Sequence, residues 1–334
     1  SLRYQSKSFP LSAMLKDNNV LMLDETFEEL SEVSLFSATN AKKLIFDVLD
    51  KKEENYFSRP AEMTAFYRES IKKRRSNVSL AEAVVSIYKK PYDTRSEDEI
   101  AIIKARKSAD YDKLDTLAIK FRGGPYNTLY IDLMKYPERV LDQSQLDNFK
   151  FTFAEPAKND DRYLYVVNFE ELDKNSPWYF GKLYVDAETL TLVKASFNLN
   201  LDNKKMASEM FVKKKPNGTK VRPVEVHYEI NYRERDGKWS YGYGSATMEL
   251  VVDWKRKLFN SRYTINSEMA VTDWKMIPEG EEYKNGRFID DEVVMSDDIS
   301  GFADSSFWGD NNIIEPDKSI QNAIDKIQQK MNFD

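Results

Sequence analysis

The sequence predicts an α+β protein that is mostly antiparallel β: a long-stranded, curved, half-barrel-like sheet with a few packed helices. Three observations predict it. Aromatic residues are abundant, with 19 Tyr and 19 Phe in 334 residues, and aromatic and β-branched side chains suit strands. The second half holds alternating runs longer than the roughly five or six residues of a common strand. Glycine is scarce, 11 in all, against an average usage of about 7 %, so glycine-rich cofactor loops have little material.

Residues 1–35 read as short strands. Leu2, Tyr4 and Phe9 precede a turn at Lys16-Asp17-Asn18-Asn19, and two apolar runs follow, Val20 to Leu23 and Leu30 to Phe36. A piece of that length cannot bury a core alone, so it belongs to a truncated domain or lies against the rest; because Ser1 to Phe9 already read as part of a strand, the chain is expected to be cut from something longer. Ala41, Leu44, Ile45, Val48 and Leu49 recur at helical spacing and predict a helix over 40–54. Residues 64–72 and 80–89 predict two paired strands around a turn at Arg75-Ser76-Asn77. Residues 93–113 predict a loop and another strand. Gly123-Gly124-Pro125 breaks the chain, and 126–134 and 137–148 read as short helical or irregular pieces.

The second half is clearer. Residues 163–169 alternate, and 179–186 with 190–201 predict a hairpin around Ala187-Glu188-Thr189. Val224, Val226, Tyr228, Ile230 and Tyr232 alternate with Glu225, His227, Glu229, Asn231 and Arg233, the signature of a strand with one buried face. Arg235-Asp236-Gly237-Lys238 predicts a tight hairpin, since glycine accepts the positive φ such turns require. Residues 239–252 and 258–274 complete the series. Pro316 begins a predicted C-terminal helix with Ile320, Ala323, Ile324 and Ile327 on one stripe.

Composition excludes several chemistries. There is no cysteine, which removes disulfides, thiolate metal sites and cysteine nucleophiles. A single histidine, His227, removes multi-histidine metal sites. The net charge of −6 supplies no basic footprint for nucleic acid. No stretch approaches the ~20 apolar residues of a membrane-spanning helix, and no cofactor is expected. His227 between Glu225 and Glu229 reads as a surface histidine rather than a general base, because no nucleophile motif accompanies it. The acidic groups Asp160-Asp161, Asp290-Asp291-Glu292 and Asp297-Asp298 with Asp304 read as solvated loops. A carboxylate pair across a sugar or a Ca²⁺ loop would need geometry that spacing does not supply. The basic run Lys72-Lys73-Arg74-Arg75 reads as a hairpin end. Trp239, Tyr241, Tyr243, Tyr228 and Tyr232 are the candidate ligand-binding residues: such aromatic rows are usually core, but long strands that curve must curve around something.

Four segments carry a family resemblance: Thr64 to Arg74 with Leu80 to Val85; Gly123-Gly124-Pro125-Tyr126; Tyr179 to Leu190; and Phe307-Trp308-Gly309-Asp310 with Ile313-Ile314-Glu315-Pro316. Together they resemble the carboxypeptidase-like regulatory-domain-containing proteins of Gram-negative envelopes. The resemblance implies that 1–38 are the last strands of a truncated β-sandwich module and that 39–334 form the main domain with the C-terminal helix. It implies no peptidase site. The order of a helix over Leu44 to Leu49, then strands, then Gly181-x-Leu-x-Val-Asp186 and Thr189-Leu190 is similar to the LolA-type lipoprotein-carrier half-barrel. That implies a periplasmic or outer-membrane-associated, extracytoplasmic protein whose hollow holds acyl chains.

The leading expectation is therefore a non-enzymatic envelope protein that binds a hydrophobic or amphiphilic ligand, such as a lipid, on the concave face of its sheet. Closure of the hollow by the protein's own helices would count against it. The second is a structural or interaction module of an envelope complex, favoured by a filled interior and an exposed apolar patch. The third is a glycan hydrolase using paired carboxylates.

Overall fold

The computed structural model describes residues 28–29, 38–74, 76–109, 124–159, 162–173, 178–211, 218–255, 259–281, 283, 287–291, 293 and 295. The strands predicted before residue 28, the C-terminal helix, and the acidic pairs Asp160-Asp161 and Asp297-Asp298 lie outside them, as does the segment Phe307 to Pro316. The proposed division at residue 38 falls at the edge of the described chain.

The helix expected over 40–54 is α1 (Ala38–Asp50) followed by one turn, α2 (Lys52–Asn55). Ala41, Leu44, Ile45 and Val48 bury the apolar stripe of α1, which is where its stability comes from, since an isolated helix of this length is marginal in water. The strands β2 (Ala61–Lys73), β3 (Ser76–Lys89) and β4 (Glu99–Ala109) follow. Ser76 and Asn77, expected in the turn, are instead paired: Lys73 faces Ser76 and Lys72 faces Asn77, and Arg74 beside them has φ 54°. Arg74 takes up the left-handed backbone that a two-residue hairpin turn demands.

An irregular segment, residues 124–148, contains α3 (Tyr126–Leu129) and two 3₁₀ turns. The remaining strands are β5 (Phe149–Phe153), β6 (Ala157–Asn159), β7 (Arg162–Glu171), β8 (Tyr179–Asp186), β9 (Leu192–Leu199), β10 (Thr219–Arg235), β11 (Lys238–Trp254) and β12 (Ser261–Met276). A short helix, α4 (Lys204–Phe211), joins β9 to β10. The Asp236-Gly237 turn has positive φ at both central residues (55° and 75°), as predicted for a tight hairpin.

All strands among the described residues belong to one antiparallel sheet, in the order β1 (Glu28–Glu29), β6, β7, β8, β9, β10, β11, β12, β2, β3, β4, with β5 also paired to β7. This is the expected long-stranded, half-barrel-like α+β architecture. Period-2 alternation sorts its two faces. A continuous cross-strand row of Ser196, Glu229, Ser245, Glu268, Arg68 and Glu82 runs over the outer face. The inner face carries Tyr67, Met269, Val271, Ile230 and Tyr232, and it packs against α1 and residues 124–148.

Candidate functional site

The inner face around the predicted aromatic residues is filled by the protein's own chain. Residues 124–148 lie against it, burying Tyr126, Leu129, Leu133, Met134 and Leu141. Tyr232 donates its hydroxyl to Asp132 Oδ1 at 3.0 Å and accepts from the Met134 N–H at 3.1 Å. Tyr241 donates to the Thr128 carbonyl at 3.1 Å, and its own N–H donates to the Tyr92 hydroxyl at 2.8 Å. A Cβ on Gly244 would stand 2.7 Å from the Thr128 carbonyl oxygen, so the absence of a side chain there lets the segment seat against β11. Trp239 is buried in the same cluster, with the Arg162 guanidinium 4.9 Å over its ring.

Tyr243 is on the opposite face. Asn231 pairs with Tyr243 but Tyr232 pairs with Tyr241, so Gly242 is an extra residue in β11. Such a bulge breaks the two-residue period, and the row Trp239, Tyr241, Tyr243 read from the sequence is divided. Tyr243 donates its hydroxyl to Glu268 on the outer face at 3.3 Å. Tyr228 packs between this cluster and a second, smaller one, with its ring stacked on Phe197 (5.2 Å) and edge-on to Tyr179 (5.9 Å). His227 lies on the outer face, its Nδ1 3.0 Å from Asn198 Oδ1.

A buried ionic cluster, which no sequence motif announced, pins the filling segment to the sheet. Lys89 is completely buried and donates to Asp98 Oδ2 (2.7 Å) and Asp132 Oδ2 (2.8 Å). Tyr92 donates to Asp132 Oδ2 and Tyr136 to Asp98 Oδ2, both at 2.8 Å. Burial opposes the Lys89 charge, but the two carboxylates outweigh it and raise its pKa. Lys135 donates to the carbonyls of Pro91 and Thr94, and burial, reinforced by the Lys89 charge, lowers its pKa to about 8. Asp98 and Asp132 are thus sealed around a lysine, a structural clamp and not a cleft that admits a sugar. Among the described residues no group of three His, Asp or Glu is placed to hold a metal ion.

The opening lies elsewhere, where β9 and β10 part. β10 is 17 residues long and pairs with β11 from Thr219 to Arg235 with a bulge at Val224, but it pairs with β9 only from His227 to Asn231. Towards residue 219 no β9 remains beside β10: β9 ends at Leu199, and the chain continues through residues 200–203 into α4, which packs against β10. α4 closes the far end, where the Ser208 hydroxyl donates to the Val221 carbonyl at 2.8 Å. Between these limits is an open cleft of about 390 Å³, inside the roughly 300–1,000 Å³ range of small-ligand sites. Its inner side is apolar, built from Tyr179, Leu199, Leu201 and Val226; its lining also includes Glu170, Glu171, Asp202 and Glu225, and no Lys, Arg or His. Phe180 on its rim is 42 % exposed and Leu172, close by along β7, is 59 % exposed. Of the five aromatics expected to bind a ligand, only Tyr228 approaches this cleft, through Tyr179. The sequence signal that was missed is a length mismatch: an eight-residue β9 cannot cover the edge of a 17-residue β10.

No family model matches the chain, and no curated protein matches it. Several solved structures do. The chain is similar to a putative outer membrane lipoprotein-sorting protein domain from Vibrio parahaemolyticus, with 12 % identity and a TM-score of 0.32 over 74 % of this chain and 95 % of that one. It is similar to a LolA superfamily protein from Nitrosomonas europaea, with 12 % identity and a TM-score of 0.25 over 70 % and 93 %. MucB in complex with MucA(peri) gives 11 % identity and a TM-score of 0.21 over 69 % and 93 %. The likeness is distant in all three. The carboxypeptidase-regulatory resemblance has no counterpart among them, and what the site does is argued from this chain's own residues.

Proposed function

We propose that this chain is a non-enzymatic interaction module of the cell envelope that engages a partner polypeptide at the split end of its sheet. One observation carries the reading. The inner face at Tyr232, Trp239 and Tyr241 is occupied by residues 124–148, while the cleft between β9 and β10 is open and is flanked by the exposed side chains of Phe180 and Leu172. A filled interior leaves no hollow for an acyl chain at the predicted aromatics. An apolar patch beside an acidic rim is the pattern of a docking surface. The assignment to the envelope, periplasmic or outer-membrane-associated, rests on the segment resemblances described above.

A photo-crosslinking side chain at Phe180, compared with one at Thr247 on the outer face, tests this in cells that make the full chain. A polypeptide adduct from Phe180 and none from Thr247 is the expected result. Equal labelling at both positions, or labelling at Thr247 alone, would overturn the reading. A second reading, an amphiphile in the same cleft, is favoured by the apolar floor of Leu199, Leu201 and Val226. Native mass spectrometry before and after organic extraction separates the two: a co-purifying lipid lost on Leu201→Asp supports the second, and a clean apo mass supports the first.

A further inference from the structure

Charge is not spread evenly over the sheet. β10, β11, β12 and β2 are neighbours, and their register sets one end of each side by side: Thr219 faces Trp254, Val252 faces Ser261, and Tyr263 faces Lys73. At about 4.8 Å between strands this rim is about 15 Å across. It carries Arg74, Lys220, Arg222, Lys255 and Arg262, all exposed. Two carboxylates offset part of that charge: Glu249 pairs with Arg262, and Asp253 stands 3.9 Å from Arg222. Arg74, Lys220 and Lys255 make no ion pair with a described residue, so positive charge is in surplus. The opposite end, with Glu234-Arg235-Asp236-Gly237-Lys238 and Asp186-Ala187-Glu188 at its turns, mixes the two signs. The whole chain has a net charge of −6, so the basic rim is a segregation of charge within an acidic protein.

One apolar side chain projects from the same rim. Phe259, in the connection between β11 and β12, is 77 % exposed, the highest value among the large apolar side chains of the described residues. A lone exposed hydrophobe means little by itself. Here it stands between Lys255 and Arg262, at the end of a hairpin whose neighbouring strand ends are basic. An aromatic ring among lysines and arginines suits the interface of a bilayer, where the ring reaches the boundary of the acyl chains and the cations meet phosphates. An acidic polypeptide would satisfy the cations and leave the ring in water. Among the described residues no helix is long and apolar enough to cross a membrane, so the contact in question is with a membrane surface.

We propose that this rim docks on the surface of a bilayer containing anionic phospholipid, with Phe259 in the headgroup region and Arg74, Lys220 and Lys255 on lipid phosphates. The docking surface is distinct from the cleft, although β10 contributes to both: Lys220 and Arg222 belong to the rim, and Glu225 and Val226 to the cleft lining. At ~3.3 Å per residue the two surfaces are about 10 Å apart along that strand. A partner seated in the cleft would therefore be held beside the membrane.

The test is co-sedimentation of the full chain with phosphatidylcholine vesicles, with and without about one-third phosphatidylglycerol. Binding is expected with the anionic vesicles alone, and about 0.5 M salt should remove most of it, because exposed charges are screened. Arg74→Glu and Lys255→Glu together should weaken binding by about 25-fold or more, at about fivefold for each cation lost. Phe259→Ser, at an exposed position, should weaken it by about tenfold. Because the chain has no cysteine, Asn260→Cys at the rim and Glu188→Cys at the opposite end can each carry a single environment-sensitive dye. A blue shift at position 260 and none at 188 is the expected result; the reverse would overturn the orientation and with it the proposal. Equal binding to the two kinds of vesicle would overturn the role of the cations, and parent-like binding by Phe259→Ser would overturn insertion of the ring. Leu201→Asp in the cleft should bind vesicles as the parent does, and loss of binding in that variant alone would put the lipid in the cleft and overturn the rim. Retention by poly-glutamate or by a single-stranded oligonucleotide, with no vesicle binding, would overturn the bilayer as the occupant.

Discussion

Lys89 is a buried cation held between two buried carboxylates, and its removal leaves Asp98 and Asp132 facing each other without it. Breaking a buried pair on one side costs about 3–5 kcal/mol, so Lys89→Met is expected to lower the urea midpoint by that amount of stability. A change under 1 kcal/mol would mean that the aspartates are solvated. Glu69 poses the opposite problem. It lies on the inner face, accepts from the Tyr67 hydroxyl at 3.0 Å, and burial raises its pKa to about 7. The native state therefore binds more protons than the unfolded state between about pH 4.5 and 7, and stability falls as pH rises through that window. At ~1.4 kcal/mol per unit the loss is roughly 3 kcal/mol. Glu69→Gln should be more stable than the parent by about that much at pH 8 and indistinguishable at pH 4; parallel pH profiles for the two proteins would refute the assignment. Neither residue stood out in the sequence, because a buried Lys or Glu is identified by what surrounds it: Asp98 just before β4 and Asp132 in the filling segment for Lys89, and Tyr67 with the paired β3 and β12 for Glu69.

At the scale of elements, the contact between residues 124–148 and β11 depends on Gly244. A Cβ there would clash with the Tyr241 hydroxyl and stand 2.7 Å from the Thr128 carbonyl oxygen. Gly244→Ala is expected to destabilise by about 1–3 kcal/mol through overpacking, and a melting temperature at the parent value would show that the segment yields freely. β10 should behave as two halves. Amides at 228–231 lie between two strands, whereas those of 222–226 have β11 on one side only. Hydrogen exchange should be faster in the second group by tenfold or more. The strands themselves were legible: β7, β8, β11 and β12 came within a few residues of their predicted limits, because alternation and turn chemistry are local properties, whereas β10, read from Val224, begins at Thr219, beyond the bulge at Val224 that interrupts its alternation. The bulge at Gly242 was not, since a two-against-one register is a relation between strands.

Over the whole molecule, one sheet and one large cluster of buried side chains unite α1, residues 124–148 and the strands from β2 to β12. The filling segment is bound by hydrogen bonds, ion pairs and apolar burial together, so it should unfold with the sheet. Tyrosine-sensitive absorbance and far-ultraviolet circular dichroism are expected to report one coincident urea transition. An earlier step confined to residues 124–148 would mean that the inner face opens readily, and would restore weight to an amphiphile at Tyr232 and Tyr241.

The sequence by itself determined the class of the protein: the alternation of its second half, the Asp236-Gly237 turn, the stripe of α1 and the absence of cysteine all act within a few residues of one another. Tertiary structure alone decided what the inner face does. Whether Tyr232 and Tyr241 meet a ligand or the protein's own chain depends on where residues 124–148 fold back, over 80 positions distant. Whether the sheet is closed depends on how far β9 runs beside β10. Both are matters of long-range packing, and periodicity carries no record of which segment comes to lie against which.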